Sequence, residues 1–400
     1  MKSIKLNHAI ILSILSMLLT PQLSTAQAIV VQFLGTSDVS VQMIDTDGDG
    51  VDDVESNCYE NDLVDPTSGE VVGTGLDCLR DIVANEDGSV TLISNIFFDF
   101  DGFGLISSEG TTTVQPLLTQ SALDAGLTNG TGSFSDEDTI MFGTGVFENA
   151  TGNVRLSGLV DLTSFPNEAF FNCVFEIAVD GDPAPNITGG GEEAIVVKFL
   201  GTATGEDTMI DTDGDGEDDV ESTCFENDLV DPNTGNVVGH GIDCLRDITP
   251  VEDTNGLTLT SNIFFTFDDP GLPNGLISSE GTTTVQPLIT DSALDAGLTH
   301  QTQSFSDDDT ITFGTGDFAG ATGNARLSGL VDLTTFPDDT FFNCMFIIRA
   351  NRIVGVKSGS GCAIASNNYN APSGIINYLM ILIAPLLIIG IRRKYLASNY

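Results

Sequence analysis

The stretch Asp45-Thr-Asp-Gly-Asp-Gly-Val-Asp-Asp-Val-Glu-Ser56 returns later in the chain as Asp211-Thr-Asp-Gly-Asp-Gly-Glu-Asp-Asp-Val-Glu-Ser222. The flanking sequence repeats with it for about 150 residues, which indicates one domain present in two tandem copies. The offset is 166 residues here (211 − 45) but 171 residues at Glu109 and Glu280 (280 − 109), so the second copy is longer by five residues. We expect this insertion in Asp269-Pro-Gly-Leu-Pro273, because proline and glycine mark a loop.

Each copy consists of short β-branched and aromatic runs separated by Gly, Asn-Gly and Asp-Gly. This spacing predicts strands joined by tight turns, and the missing crossover helices favour an antiparallel barrel or sandwich. The fold class we expect is therefore all-β. In the first copy, eight strands are predicted at 29–35, 39–44, 70–82, 90–100, 105–114, 139–147, 154–162 and 170–179.

Both ends of the chain carry targeting features. Residues 1–27 have the basic start, apolar run and small residues of a cleaved secretory signal. Residues 375–391 are almost wholly apolar, long enough as a helix for a thin bilayer, and are followed by the basic residues Arg392-Arg-Lys394. We expect an exported protein with a transmembrane anchor. The expected parts are repeat 1 at 28–180, a linker at 181–193, repeat 2 at 194–350, a spacer at 351–374, the transmembrane helix at 375–391 and a cytoplasmic tail at 392–400.

The formal net charge is −45, and few basic residues lie in the body of the repeats. Among them are Arg80, Arg155, Lys198, Arg246 and Arg326. Such a surface repels phosphate backbones and favours divalent cations, so nucleic-acid binding is not expected. Disorder is the other reading of a high charge, but a hydrophobic content of 41% with 24 Phe favours packed cores.

Each copy contains three cysteines, which favours disulfides in an exported protein. Residues 62–73 have the pattern of a hairpin with its turn at 66–69, and the first two cysteines lie almost symmetrically about that turn. The predicted disulfides are Cys58–Cys78 and Cys224–Cys244. The third cysteines, Cys173 and Cys344, are expected as buried thiols, although three cysteines allow three pairings.

The repeated acidic stretch resembles a calcium loop. Asp45, Asp47 and Asp49 alternate, Gly50 stands at the sixth position and Asp53 at the ninth, as in the first part of an EF-hand loop. The twelfth position is serine rather than glutamate, and strands flank the loop, so it looks more like the calcium loops of thrombospondin type 3 repeats. A solvated acidic turn is the alternative. The predicted calcium ligands are Asp45, Asp47, Asp49, Asp53, Asp211, Asp213, Asp215 and Asp219.

The segments Ile140–Val160 and Ile311–Val331 both contain Gly-x-Gly-x-Phe-x-x-Ala-x-Gly or a close variant of it. This signature resembles that of the allene oxide cyclase and dirigent family. The resemblance implies two tandem eight-stranded antiparallel, lipocalin-like barrels with an apolar cavity for a hydrophobic small molecule. The alternative is that these glycines only let a strand bend at a barrel corner.

Catalysis has little support in the residues. The first copy contains no histidine, so a histidine-dependent mechanism shared by both copies is excluded. The remaining acid/base candidates are Glu109 and Glu280, whose alternative reading is an exposed carboxylate. Arg155 and its copy Arg326 could face an anionic ligand inside the barrel, or form a structural salt bridge.

Near the C-terminus, Ser358-Gly-Ser-Gly-Cys362 precedes the spacer, the apolar segment and the basic cluster. This order resembles the C-terminal sorting signals of Gram-negative bacteria, in which Cys362 would be the processing site; a plain membrane anchor is the alternative.

The sequence thus predicts a calcium-binding tandem barrel, anchored in the bacterial envelope or at the cell surface, with a binding or structural role. The alternatives are an isomerase of the cyclase type, or a dirigent-like protein that controls stereochemistry, acting on a hydrophobic small molecule in the barrel, and adhesion through calcium-dependent contacts.

Overall fold

The computed structural model describes residues 28–86, 88–117, 128–132, 139–180, 194–251, 256–288, 299–304 and 310–351. Within these ranges the regular structure is β-strand, apart from 3-10 turns at Gly145–Phe147 and Gly316–Phe318, which confirms the all-β prediction. The predicted signal, the linker and everything from residue 352 onward, including Cys362 and the apolar segment 375–391, lie outside the described residues. In the described ranges, no helix has the length and apolarity needed to cross a membrane.

The strands of the first copy form one antiparallel sheet, here called barrel 1. They are Ala28–Asp38 (β1), Ser40–Ile44 (β2), Val54–Val64 (β3), Val71–Ala84 (β4), Val90–Phe100 (β5), Gly104–Pro116 (β6), Asn129–Gly132 (β7), Thr139–Gly143 (β8), Gly152–Asp161 (β9) and Glu168–Val179 (β10). Those of the second copy form barrel 2. They are Ile195–Ala203 (β11), Glu206–Ile210 (β12), Val220–Val230 (β13), Val237–Pro250 (β14), Leu257–Phe267 (β15), Gly275–Pro287 (β16), His300–Ser304 (β17), Thr310–Gly314 (β18), Gly323–Asp332 (β19) and Thr340–Ala350 (β20).

Each sheet closes on itself. The order β1-β10-β9-β7-β6-β5-β4-β3 returns to β1 through the pairing of β1 with β3. Strand β8 also lies between β6 and β9, so β7 and β8 share one position in the ring, and β2 lies outside it on the edge of β3. Barrel 2 repeats this arrangement with β11 to β20.

The structure corrects parts of the predicted strand map. Strands β3 and β7 were absent from it, because β3 alternates with polar residues and β7 is only four residues long. The strand predicted at 139–147 ends at Gly143. The insertion in the second copy is also divided: the offset is 167 at Leu257 (257 − 90) and 171 at Gly275 (275 − 104). One added residue therefore precedes β15, and four lie between β15 and β16.

The interior of each barrel is filled by alternate side chains of its strands, as a half-buried strand requires. In barrel 1 the core includes Phe33, Phe98, Phe100 and Phe175, all buried. The rings of Phe98 and Phe175 meet edge to face, with 5.1 Å between their centroids, whereas those of Phe98 and Phe100 are stacked. Barrel 2 has the equivalent core.

Both predicted disulfides, Cys58–Cys78 and Cys224–Cys244, are present. Each joins directly paired residues of neighbouring strands, β3 with β4 and β13 with β14. Because side chains alternate across a strand, Cys78 points to the outer face, where it packs with Ile44 under the acidic hairpin. The residues next to Cys78 therefore point into the barrel. Cys173 and Cys344 are buried thiols.

Candidate functional site

Barrel 1 contains a cavity of about 270 Å³ towards the end at which β4 ends and β5 begins. Its wall is mainly apolar and includes Phe33, Leu79, Leu92, Phe171 and Phe175. Concave apolar cavities with a few polar groups are the usual form of small-molecule sites in proteins. The cavity is therefore the candidate site.

One carboxyl group belongs to the cavity lining, that of Asp77 in β4. Only 6% of Asp77 is exposed, and its Oδ1 accepts a hydrogen bond of 2.7 Å from the Ser94 hydroxyl. Burial raises the pKa of Asp77 to about 7, although the hydrogen bond from Ser94 acts in the opposite direction. Asp77 thus exchanges a proton near neutral pH inside an apolar chamber.

Two further polar groups line the cavity. The hydroxyl of Thr112 is buried and has no hydrogen-bond partner among the described residues. The Cys173 thiol donates a long hydrogen bond of 3.8 Å to the Leu159 carbonyl, and burial raises its pKa to about 12. The Cys173 thiol therefore stays neutral at the pH at which Asp77 titrates. The Thr112 hydroxyl has an unused donor and acceptor to offer a ligand.

The corresponding cavity in barrel 2 measures about 30 Å³, which is room for one or two waters. Asp243 and Ser261 repeat the hydrogen-bonded pair of barrel 1 at 2.7 Å, and burial raises the pKa of Asp243 to about 7. Leu257 stands where barrel 1 has Val90, which narrows this end. One methylene group is far smaller than the difference of 240 Å³ (270 − 30), so this substitution accounts for only part of it.

The structure places Glu109 and Glu280 on the outer walls, away from the cavities. Glu109 Oε2 lies 2.7 Å from Arg80 Nη2 and accepts a hydrogen bond of 2.9 Å from Asn95. Glu280 makes the same contacts with Arg246 and Asn262. These carboxylates join neighbouring strands and do not line either cavity.

Arg155 and Arg326 also point outward, to the surface where the two barrels meet. Arg155 donates a hydrogen bond to the Asn343 carbonyl of barrel 2, and its Nη1 lies 3.8 Å from Glu176. Arg326 donates to the side chain and the carbonyl of Asn172 in barrel 1. Neither guanidinium enters a barrel, so neither is placed to hold an anion in the cavity.

The acidic stretch forms the hairpin connection between β2 and β3, so strands do flank the loop as expected. Asp45, Asp47 and Asp49 can each offer a carboxylate oxygen, and these atoms lie within 4.8 Å of one another. Asp53 lies apart from this group, because its oxygens accept hydrogen bonds from the Thr46 hydroxyl. The geometry thus brings together the first three predicted ligands.

The second loop is equivalent. Asp211, Asp213 and Asp215 form the group, and Asp219 accepts hydrogen bonds from the Thr212 hydroxyl. The three carboxylates in each loop have the oxygen chemistry that calcium prefers.

The backbone of the loop already stabilises one carboxylate. Asp45 accepts hydrogen bonds from the N–H groups of Gly48 and Gly50, at 2.7 and 2.8 Å. Desolvation raises the pKa of Asp45, but the backbone hydrogen bonds outweigh it and hold the pKa below its ordinary value. Gly48 has φ +79°, and a Cβ there would lie 2.6 Å from the Phe142 ring, so this loop requires glycine.

Asp77 and Asp243 are not among the residues predicted from the sequence, because their direction depends on the face on which the adjacent cysteines pair. The signal was present: both copies contain Asp-Cys-Leu-Arg, and a cysteine that pairs on the outer face forces its neighbours inward. Thr112 gave no comparable signal, since it belongs to a run of three threonines. The cavity itself was implied only by the family resemblance.

No family model matches the chain, and no curated protein matches it closely enough to be a relative. The resemblance to the allene oxide cyclase and dirigent family stays a prediction.

Proposed function

We propose that barrel 1 binds a small, largely apolar molecule, and that barrel 2 has a structural role. The observation that carries this proposal is the difference in interior space, about 270 Å³ in barrel 1 against about 30 Å³ in barrel 2. A natural core rarely leaves so large a space, because empty volume forfeits packing contacts. The finer description as a lipocalin-like barrel of the allene oxide cyclase type belongs to this proposal.

Asp77 and Thr112 define the polar requirement of the ligand. At or below neutral pH the protonated carboxyl of Asp77 offers a hydrogen bond, and the unpartnered hydroxyl of Thr112 offers another. A neutral molecule with one carbonyl or hydroxyl group satisfies both without bringing a charge into the barrel. Anionic ligands are disfavoured, since both cations predicted to meet them, Arg155 and Arg326, lie on the outer surfaces of the barrels.

The cellular location of the protein is proposed from the sequence. The signal-like N-terminus and the apolar, Cys362-containing C-terminal region support export and attachment to the membrane or the bacterial cell surface. Calcium is proposed as the ion of the two acidic loops, supported by the three clustered carboxylates in each. Bound calcium would hold the hairpin of β2 and β3 against the outer wall.

The test of the binding function uses the neutral fluorescent probe N-phenylnaphthylamine. We expect saturable fluorescence enhancement with one site per chain, and at least a tenfold loss of affinity in Val160→Phe, which fills the cavity. The matched control is Val331→Phe, at the equivalent position of barrel 2. Equal binding by the wild type and Val160→Phe would contradict the proposal.

Organic extraction of the purified protein, followed by mass spectrometry, would identify a ligand retained from the cell.

An isomerase of the cyclase type is the second candidate, and Asp77 is the observation that favours it. A water-excluded carboxyl whose pKa is raised to about 7 is suited to general acid or base catalysis at neutral pH. If barrel 1 is an isomerase, Asp77→Asn should retain the unconverted isomer while the wild type retains product, with Asp243→Asn behaving as the wild type. The same extracted molecule in all three proteins would exclude catalysis by Asp77.

The calcium proposal has a separate test. Calorimetric titration should show two sites per chain, and Asp47→Asn combined with Asp213→Asn should abolish both. The absence of heat at millimolar calcium, with no calcium-dependent rise in melting temperature, would exclude it.

A further inference from the structure

The two barrels pack against each other through the outer faces of β1, β9 and β10 and of β11, β19 and β20. The centre of this contact, here called the pairing face, is apolar and buried. It consists of Val30, Val174, Ala194, Met345 and Ile347, with Val196 partly buried beside them. Because these side chains alternate with the core residues on the same strands, the pairing face is independent of the cavities.

The contact has two-fold symmetry. Ser157 and Ser328 are equivalent residues, 171 apart (328 − 157), and their hydroxyls meet at 3.0 Å, as residues on a two-fold axis must. Away from this axis the contacts are reciprocal. Gln115 Nε2 donates to the Pro287 carbonyl and Gln286 Nε2 donates to the Pro116 carbonyl, both at 2.6 Å.

The two buried arginines follow the same symmetry. Arg155 of barrel 1 donates to the Asn343 carbonyl, and Arg326 of barrel 2 donates to the equivalent carbonyl of Asn172. They are 7% and 3% exposed, respectively. Burial lowers the pKa of Arg326 to about 10, so it remains charged at neutral pH. Each barrel thus contributes one buried cation to the contact.

Equivalent positions of the contact are not all identical, as Val174 against Met345 shows, and two of the differences supply the ion pair between the barrels. Glu176 of barrel 1 corresponds to Ile347 of barrel 2, and Gln32 corresponds to Lys198. In the structure Lys198 Nζ lies 2.5 Å from Glu176 Oε1, while Arg155 lies 3.8 Å from the other oxygen of the same carboxylate. On the opposite side of the axis, Gln32 donates a hydrogen bond of 2.5 Å to Asn172.

We infer that the pairing face directs barrel 2 onto barrel 1 and prevents barrel 2 from pairing with barrel 2 of a second copy of this chain. In a pair of second barrels, the two-fold axis would place each Lys198 opposite Ile347 of the other barrel. Each Lys198 would then be buried without the carboxylate that it has opposite barrel 1, in a contact that also buries two copies of Arg326. An uncompensated buried charge is far more costly than a paired one, so such a pair is excluded by charge.

The exclusion applies to barrel 2 alone. A pair of first barrels would contain two copies of Arg155 and two of Glu176, so its charges would balance. Barrel 1 supplies the one carboxylate that barrel 2 requires, and this dependence keeps neighbouring chains from cross-linking through their second barrels.

The test begins with the full-length chain carrying a protease site within residues 181–193. After cleavage, the halves are separated in urea, mixed with isotope-labelled halves and returned to buffer, and the pairs are counted by native mass spectrometry. We expect mixed-label pairs of barrel 1 with barrel 2, and pairs of two second barrels at least tenfold less abundant. Equal abundance of the two kinds, or halves that do not recombine, would overturn the inference.

A charge-restoring variant sharpens the test. Ile347→Glu places a carboxylate opposite Lys198 in a pair of second barrels, so such pairs should become at least tenfold more abundant than in the wild type. Ile347→Gln is the matched control, similar in size but neutral, and should leave these pairs as rare as before. Equal behaviour of the two variants would refute a role for charge.

Discussion

The two barrels have nearly the same lining and yet differ in the space inside. All but two of the positions that line the cavity of barrel 1 have the same residue in barrel 2, the exceptions being Val90 against Leu257 and Ala84 against Pro250. Both interiors contain the same buried aspartate and serine pair. The difference teaches that a duplicated barrel can change its interior space while its frame, disulfide and polar groups stay the same.

The largest effect is expected where the two barrels differ in charge. Glu176→Gln leaves Lys198 buried without its carboxylate, and breaking a mostly buried ion pair typically costs about 3–5 kcal/mol. The double variant Glu176→Gln with Lys198→Gln should cost less than the single one, since no charge is then left unpaired. Urea unfolding measures both. A single-variant cost below about 1 kcal/mol, as for an exposed pair, would show that the contact is not desolvated.

Next in size is the pH response of the buried aspartates. Asp77 has a pKa of about 7 in the folded protein against the ordinary value of 3.8, so folding favours its protonated form. The contribution of Asp77 to the free energy of unfolding is therefore fully present below pH 4 and is lost as pH rises from about 4 to 7. Above pH 7 it stays lost, and the total loss is at most about 4 kcal/mol.

Asp77→Asn should accordingly melt at the same temperature as the wild type near pH 4 and at a higher one at pH 8. Asp243→Asn should behave alike, because its pKa is also raised to about 7. A smaller rise in melting temperature at pH 8 for Asp77→Asn than for Asp243→Asn would show that the cavity of barrel 1 admits water around the ionised carboxylate. A wild type that gains stability relative to either variant as pH rises would contradict the assignment.

The disulfides should be equivalent in the two barrels. Each closes a sequence separation of 20 residues, for which the loss of the bond costs about 3 kcal/mol. Double replacement by serine at Cys58 and Cys78 should therefore destabilise as much as replacement at Cys224 and Cys244, measured by thermal unfolding without reductant. A clear inequality would mean that one barrel retains more structure when unfolded.

The smallest expected effect tests the cavities by stability alone. Val331→Phe overpacks the filled interior of barrel 2 and should cost about 1–3 kcal/mol. Val160→Phe has space to enter in barrel 1 and should cost less than about 1 kcal/mol. Similar costs for the two variants, measured by urea unfolding, would remove the distinction between an open and a filled barrel.

Much of the fold was readable in the sequence. The repeat, the antiparallel strands and both disulfides followed from local patterns, because alternation and turn residues act over a few neighbouring positions. Strand β3 was harder, since its outward residues are polar and its inward partners come from distant strands. The sharing of one ring position by β7 and β8 depends on pairings across the barrel and had no local signal.

The candidate site was less readable. The sequence singles out Glu109 and Arg155 as charged residues repeated in both copies, but each is held by a partner on the outer surface. The direction of Asp77, beside Cys78, follows only once the disulfide is known to lie on the outer face. Charge type is a property of the sequence, whereas the side of a closed sheet on which a charge lies depends on where every other strand is.

The amino-acid sequence by itself determined that two equal domains exist, that they are built of strands, and which cysteines pair, because these depend on periodicity and short separations along the chain. Only the tertiary structure decided that barrel 1 keeps a cavity of about 270 Å³ where barrel 2 keeps about 30 Å³, and that Lys198 meets Glu176 across the pairing face. Cavity volume and interface charge arise from contacts between residues far apart in sequence, and small shifts in packing change them while the local pattern stays the same.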